Sequence, residues 1–399
     1  MRMRRSALPL ALLLTLTACA GGPGPGDVTG PVTYTSGGVK LGDKPISWKS
    51  LTSLTETDPD VEALRAEYAK RAAAQMDVAG AHLGLAKWCR ENGLADEAKK
   101  EFEAAIKLEP DNATARKGLS FVKEKDAWRD ARDVFHEKLD ALDPKKKGAR
   151  LELAKWCDGV SLFEEEYGQL VQLLVDDAWD REAIKQMKPL VDRRVPKTAL
   201  RPPFVGRWKG LVDKTYHHQL KCFAMYAIDW VKVDDKGSVF SGSGKAITDF
   251  YSWGQTVLAA ADGTVTAADD HWPDMPPGIA GKFDQANFIS IEHEAGEHTD
   301  YGHVQQGSAL VKVGEKVKRG QPIARAGNSG AAGLPHIHFT ASIAIFAPGR
   351  DHGQWLGIPC RFGECDVVEA DGKPCSFHLN LGRPQEGWVI VAPSPETGK

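Results

Sequence analysis

The pentapeptide Leu-Ala-Lys-Trp-Cys occurs at 85–89 and again at 153–157, an interval of 68 residues that is twice 34. Pro110 and Pro144, between the two copies, also stand 34 apart. A duplicate at a fixed period limits the fold of this stretch more than composition does. A repeat of that length holds a pair of helices that buries its apolar face only by stacking on its neighbours. Apolar residues at helical spacing begin with Val61, Leu64, Tyr68 and Ala72, just after Asp58-Pro59-Asp60. The pattern predicts an all-α region over 59–194. It ends where Arg194-Val195-Pro196 through Arg201-Pro202-Pro203 break the helical spacing.

The unit from His82 to Asn112 resembles the tetratricopeptide repeat. Leu85, Ala86, Cys89, Ala98, Phe102, Ala105 and Pro110 occupy its seven signature positions. Small Ala86 and Ala98 let two helices approach, Leu85, Phe102 and Ala105 fill the seam, and Pro110 stops the second helix. The next unit is more degenerate, with Arg132 and His136 where a small and an aromatic residue belong. Such repeats offer concave surfaces, so a protein partner is expected to dock on them.

The N-terminus reads as an address. Arg2, Arg4 and Arg5 precede an apolar stretch from Leu8 to Ala18, too short to span a bilayer. It ends in Leu16-Thr17-Ala18-Cys19, which resembles the bacterial lipobox. The resemblance implies a signal peptide over 1–18 and a lipid anchor at Cys19 in the cell envelope. Ala20 rather than Asp at the next position points to a periplasm-facing place on the outer membrane. Residues 19–58, rich in Gly, Pro, Ser and Thr toward their start, read as a flexible tether.

At 399 residues the chain is long enough for two or three domains, and 42% hydrophobic with 26% charged residues is ordinary globular composition. Lys+Arg 51 against Asp+Glu 54 leaves a net charge of -3, without the basic surplus that nucleic-acid binding requires. No apolar run of membrane-spanning length follows the leader, which excludes a polytopic membrane protein. Beyond residue 195, short runs of β-forming residues (224–233, 256–266, 288–293, 309–313 and 337–345) alternate with Gly-rich turns. A β-rich, antiparallel domain over 195–350 is expected, with a β-rich extension of it over 351–399.

Ten of the twelve histidines lie between His217 and His378. His336 and His338 stand at i and i+2, which on a strand places both imidazoles on one face roughly 7 Å apart. Upstream, in order, come Asp262-Gly263, Asn287 through His293, Tyr301-Gly302-His303, Gly314 through Gln321, and Ala326-Gly327-Asn328-Ser329-Gly330. This succession resembles the LytM/lysostaphin-like zinc metallopeptidases, peptidase family M23, over about 205–345. The resemblance implies a zinc ion held by an early His, an Asp and the second His of His-x-His. Carried over, His338 and Asp229 are metal ligands, and His303 and His336 are catalytic. Met225 stands four residues before Asp229, where the common pattern has the first His; the His eleven residues ahead is His218, with adjacent His217 as its rival. Asp262-Gly263 is read as a turn and the Gly327–Gly333 run as a loop walling the cleft.

Two imidazoles and one carboxylate suit zinc with a position left for water, lowering the pKa of that water toward ~7. No His-Glu-x-x-His occurs, so a histidine must serve as base. The sequence assigns His336 to accept the water's proton and His303 to steady the oxyanion or leaving nitrogen. The resemblance implies endopeptidase hydrolysis of peptidoglycan peptides. The alternative is a relative that binds the wall or activates another hydrolase without cutting. His271, His293, His298, His352 and His378 match no motif position and read as surface or supporting residues. Cys89 and Cys157 read as core, and Cys222, Cys360, Cys365 and Cys375 leave three disulfide pairings open.

Overall fold

The computed structural model describes residues 61–143, 146, 148–192, 194, 196–212, 221–380 and 383–395, together with strand backbones within 13–57. The chain divides into two compact units. One holds Asp58–Val195 with Phe346–Gly353, and the other holds Leu13–Thr57, Pro196–Ile345 and Gln354–Lys399. The first is helical and the second carries an antiparallel sheet.

In the first unit the helices are α1 (Val61–Ala74), α2 (Ala79–Glu91), α3 (Ala95–Leu108), α4 (Ala113–Gly118), α5 (Ala131–Asp140), α6 (Ala149–Gly159), α7 (Phe163–Asp176) and α8 (Arg181–Asp192). The duplicated pentapeptide lies at equivalent places on α2 and α6, and the turns after them match. Gly93 and Ser161 both take a left-handed backbone, with φ of 71° and 62°. The N–H groups of Leu94 and Leu162 then bond the carbonyls of Cys89 and Cys157 at 2.8 and 2.9 Å. Leu85, Ala86, Cys89, Ala98, Phe102 and Ala105 are all buried in one core cluster. Glycine is required at 118, where a Cβ would lie 2.5 Å from the Phe102 ring.

The middle unit departs from the period. Where a long first helix is expected, the short α4 gives way to a hairpin of β6 (Phe121–Glu124) and β7 (Ala127–Asp130). Ser120 and Lys125, both at positive φ, bracket its first strand. Ala131 and Phe135, not Arg132 and His136, fill the core, one residue ahead of the strict 34-residue shift. The degenerate signature thus marks a slip of one position, and the hairpin absorbs it.

Composition makes 19–58 a tether, yet strands β1 (Leu13–Ala18), β2 (Asp27–Thr35), β3 (Gly38–Leu41), β4 (Lys44–Ser47) and β5 (Leu51–Thr57) run through 13–57. Thr and Val recur along β2 and Thr along β5, and such branched residues suit extended backbone. Cys19 lies outside the described residues.

The remaining strands of the second unit are β8 (Gly206–Leu211), β9 (Ile228–Lys232), β10 (Thr256–Leu258), β11 (Gly263–Asp269), β12 (Phe288–Glu292), β13 (Glu297–Gly302), β14 (Lys316–Val317), β15 (Pro322–Arg325), β16 (Ile337–Phe346), β17 (Gly353–Ile358), β18 (Cys365–Ala370), β19 (Lys373–Asn380) and β20 (Val389–Ala392). The main sheet runs β14-β11-β12-β13-β16-β9-β8-β20-β18-β19-β5, and β17 also pairs β16. The run at 309–313 is not a strand. Val311 is buried there but Leu310 and Val313 are exposed, so the run has no continuous apolar face.

The centre of this sheet explains its register. Trp230, Phe339 and Tyr301 are fully buried, as are Phe204, Trp208 and Phe362. Their rings form a continuous layer: Phe204 stacks on Trp208 at 4.6 Å, and Trp230 and Phe339 each meet Phe362, at 5.8 and 5.4 Å. Because side chains alternate along a strand, burying these aromatics turns Asp229, His338 and Gly302 to the opposite face. Slipping one residue would expose large rings, each worth roughly 1.5–3 kcal/mol when buried, and drive a carboxylate and an imidazole into the core.

Candidate metal centre

Three neighbouring strands bring the predicted residues together. His338 on β16 stands opposite Asp229 on β9 and, on its other side, opposite Gly302 at the end of β13. The His338 Nδ1 lies 2.8 Å from Asp229 Oδ1. His336 Nε2 lies 3.4 Å from the same oxygen. The rings of His303 and His336 are 4.6 Å apart, and those of His303 and His338 5.7 Å. Gly302 has no side chain to intrude on His338; a Cβ there would lie 3.2 Å from that of His338. The ligand-capable nitrogens of His303, His336 and His338 all fall within 4.8 Å of one another. His217 and His218 lie outside the described residues, so the first expected ligand is not placed.

Backbone carbonyls set the tautomers of the two expected catalytic histidines. His303 Nδ1–H donates to the Ser329 carbonyl at 2.7 Å, and His336 Nδ1–H donates to the Leu334 carbonyl at 2.8 Å. Each ring therefore presents an Nε2 lone pair. His336 Nε2 is buried without a hydrogen-bond partner among the described residues. Burial, and then the neighbouring His336 and His338, push His303 well below the ordinary histidine value. Burial acts the same way on His336, but the negative charge of Asp229 outweighs it and raises that residue. The two shifts run in opposite directions: His303 is kept neutral, while positive charge is favoured at His336, beside Asp229.

That donor set fits a divalent cation. A buried, unsatisfied imidazole nitrogen beside a carboxylate is costly unless something occupies the gap. Asp229 and His338 turn their ligand atoms toward each other, as two ligands of one ion must. N and O donors without thiolate suit zinc.

The loops around this face matter as much as the strands. His303 takes a left-handed backbone with φ of 60°, which a residue with a side chain holds only under restraint. Gly327 N–H bonds the His303 carbonyl at 2.9 Å. Asn287, fully buried, bonds Trp272 at both N–H and carbonyl and the Val304 carbonyl as well. The sequence motifs include Asn287, Gly327 and Ser329 but give a role only to His303, because Asn and Ser in Gly-rich loops read alike whether solvated or buried. A cavity of about 830 Å³ is lined by residues including Trp208, Lys232, Arg319 and Gln321, and by none of the histidines.

The model of peptidase family M23 matches residues 244–345. That stretch is an M23 domain. The matched residues of the M23 domain include His303, His336 and His338, while Asp229 lies ahead of them. Over 88 residues the chain is 41% identical to the murein hydrolase activator EnvC of Escherichia coli (strain K12), covering 22% of this chain and 18% of that protein. Over 93 residues it is 39% identical to the peptidoglycan DD-endopeptidase ShyB of Vibrio cholerae, covering 23% and 19%. The chain thus spans about a fifth of the length of these curated relatives. A solved zinc-containing peptidase from Vibrio cholerae is 24% identical, with a TM-score of 0.20, and covers 37% of this chain and 33% of that one; at that score the likeness carries no argument.

The other expected roles are placed as follows. His293 is buried beneath the M23 sheet, 2.8 Å from the Asp262 carbonyl and 2.9 Å from Thr299 Oγ1. Asp262 takes Lys318 Nζ and the Arg319 N–H, as a turn residue does. Cys89, Cys157, Cys222, Cys360, Cys365 and Cys375 form no disulfide among the described residues, so none of the three pairings left open is made. Cys222 and Cys360 instead reach the carbonyls of Trp355 and Tyr226.

Proposed function

We propose that the protein is a zinc-dependent endopeptidase that hydrolyses peptide bonds of peptidoglycan. The observation that carries this reading is the meeting of Asp229 and His338 beside two imidazoles whose Nε2 lone pairs point inward. Asp229, His338 and His218 are the proposed ligands, with His217 the rival for the third. A zinc ion bound there supplies a water of lowered pKa and polarises the scissile carbonyl.

The chain's own residues set the proton path. His336 Nε2 is the assigned acceptor of the water's proton; its Nδ1–H, fixed on Leu334, keeps that nitrogen free. The imidazolium so formed can return the proton to the leaving nitrogen. His303 steadies an oxyanion only after gaining a proton, since its one N–H is committed to Ser329. It is therefore assigned as a second proton carrier.

A lipid anchor at Cys19 would hold the enzyme beside its polymeric substrate, facing the periplasm from the outer membrane, and the tetratricopeptide-like helices would recruit a protein partner. The EnvC relative favours a second reading, activation of another hydrolase. The presence of Asp229, His303, His336 and His338 together supports the enzyme over it. Full-length protein incubated with peptidoglycan, with and without a chelator, separates the two. New amino termini released only with metal present support hydrolysis; binding to the polymer without cleavage supports the activator.

A further inference from the structure

Asp274 belongs to none of the motifs above. It lies in the segment between β11 and β12, far in sequence from both loops it touches. Its carboxylate accepts two backbone N–H groups, from Asn328 at 2.6 Å on Oδ1 and from Gln306 at 2.9 Å on Oδ2. Among the described residues no Lys or Arg pairs with it; burial raises it above the ordinary carboxylate value, and the two amides act against that.

The two amides belong to the two stretches of backbone that fix His303. Gln306 follows His303 by three residues. Asn328 precedes Ser329, whose carbonyl accepts the His303 Nδ1–H. The arrangement is closed on all sides. Met275 N–H bonds the Asn328 carbonyl at 3.0 Å, and Asn328 Nδ2 returns a bond to the Met275 carbonyl at 2.7 Å. Asn287 N–H bonds Ser329 Oγ at 3.1 Å, and that hydroxyl bonds the Val304 carbonyl at 3.1 Å. Gly327 carries no side chain where a Cβ would collide with Asp274 Oδ1 and the Gln305 backbone. The carboxylate thus rests directly on the backbone that carries the histidine.

We propose that Asp274 is a positioning residue for His303, clamping the left-handed backbone at 303 and the Ser329 carbonyl in one register so that Nε2 faces the metal centre. This rests on the catalytic reading of that centre. A carboxylate suits the task because both oxygens accept. The amide of Asn would accept one N–H and turn its own NH₂ against the other. Asp270, in the same segment, provides the contrast. It anchors the Ala309 N–H at 2.9 Å and makes no bond to 303–306 or 327–329.

The test compares Asp274→Asn with Asp270→Asn in the full chain loaded with zinc. Asp274→Asn is expected to lower kcat on peptidoglycan roughly 10- to 100-fold, since small misplacements of a reacting group cost that much. KM should stay within about twofold and zinc content unchanged. Asp270→Asn should turn over like the wild type. In ¹⁵N-histidine-labelled protein, with His303 assigned from the His303→Gln spectrum, the Nδ1–H tautomer signature should be lost in Asp274→Asn and kept in Asp270→Asn. Equal losses in both variants, tracking their melting temperatures, or an unchanged His303 signature in Asp274→Asn would overturn the assignment. Should the wild type fail to hydrolyse peptidoglycan, the catalytic reading falls and the spectra alone decide the positioning.

Discussion

Both units of this protein bury histidine against a carboxylate, and they do so to opposite ends. In the helical unit, His82 uses both ring nitrogens, Nδ1 on Glu101 at 2.6 Å and Nε2 on Asp77 at 3.0 Å. Glu101 also takes the Tyr68 hydroxyl at 2.8 Å and Gln75 Nε2 at 3.0 Å. Both ring nitrogens of His82 and both oxygens of Glu101 have a protein partner. The equivalent pair 68 residues on, Arg150 and Gln169, keeps the cross-helix bond at 2.5 Å with different chemistry, as expected of a structural lock that any donor and acceptor can make. In the sheet unit the same residue types leave an Nε2 buried and unmatched. A satisfied cluster stabilises the fold, whereas an unsatisfied one is held ready for something that arrives from outside.

The largest expected effect falls on the unsatisfied cluster. His336→Ala should lower the rate of peptidoglycan cleavage by about 10²- to 10⁴-fold, the usual contribution of a general base, with zinc content kept. Comparable turnover, measured as new amino termini against time, would remove His336 from the mechanism. In the helical unit the largest effect should come from Phe102→Ala, which empties a seam position that is 4% exposed. A loss of about 3–5 kcal/mol is expected in chemical unfolding of that unit, with zinc content unaltered.

The polar lock gives a smaller and pH-dependent effect. The hydrogen bond to Glu101, partly opposed by burial, raises His82 above its ordinary 6.5. Burial opposes the charge of Glu101, but the bonds from His82, Gln75 and Tyr68 prevail and depress it below 4.5. The His82 contribution is therefore complete below about pH 6.5 and lost as pH rises through its elevated folded value. The Glu101 contribution is present above about 4.5 and lost as pH falls through its depressed folded value. Glu101→Gln should cost about 1–3 kcal/mol and flatten the stability profile across both windows. An unchanged profile in pH-dependent denaturation would mean that the lock carries no stability.

How legible this was depends on how local the signal is. His336 and His338 were readable because strand alternation alone puts them on one face, whereas Asp229 was named only through the family resemblance; the burial of Ile228 and Trp230 beside it shows in the structure why it faces the histidines. The seam of the first helical repeat was readable for the same reason, since Leu85, Ala98 and Phe102 follow helical spacing. The one-residue slip that brings in Ala131 and Phe135 was not, because a hairpin can absorb an insertion without leaving a periodic trace. Nor was the absence of a strand at 309–313, where alternating apolar residues look alike whether or not a partner edge exists. Asp274 and Asn287 act on backbone N–H and C=O groups far away in sequence, and backbone partners leave no mark on the residue types around them. The strands within 27–57 follow the branched residues of that stretch, which a reading from Gly and Pro content does not weigh.

The cluster of Asp229, His303, His336 and His338 is proposed as a metal centre, and that of His82 and Glu101 is not. Zinc stoichiometry of the purified full chain, measured by elemental analysis after dialysis, tests it most directly. The account predicts one tightly held zinc in the wild type and in Glu101→Gln, and its loss in Asp229→Ala and in His338→Ala. Zinc retained at full stoichiometry in both of the latter variants would contradict it.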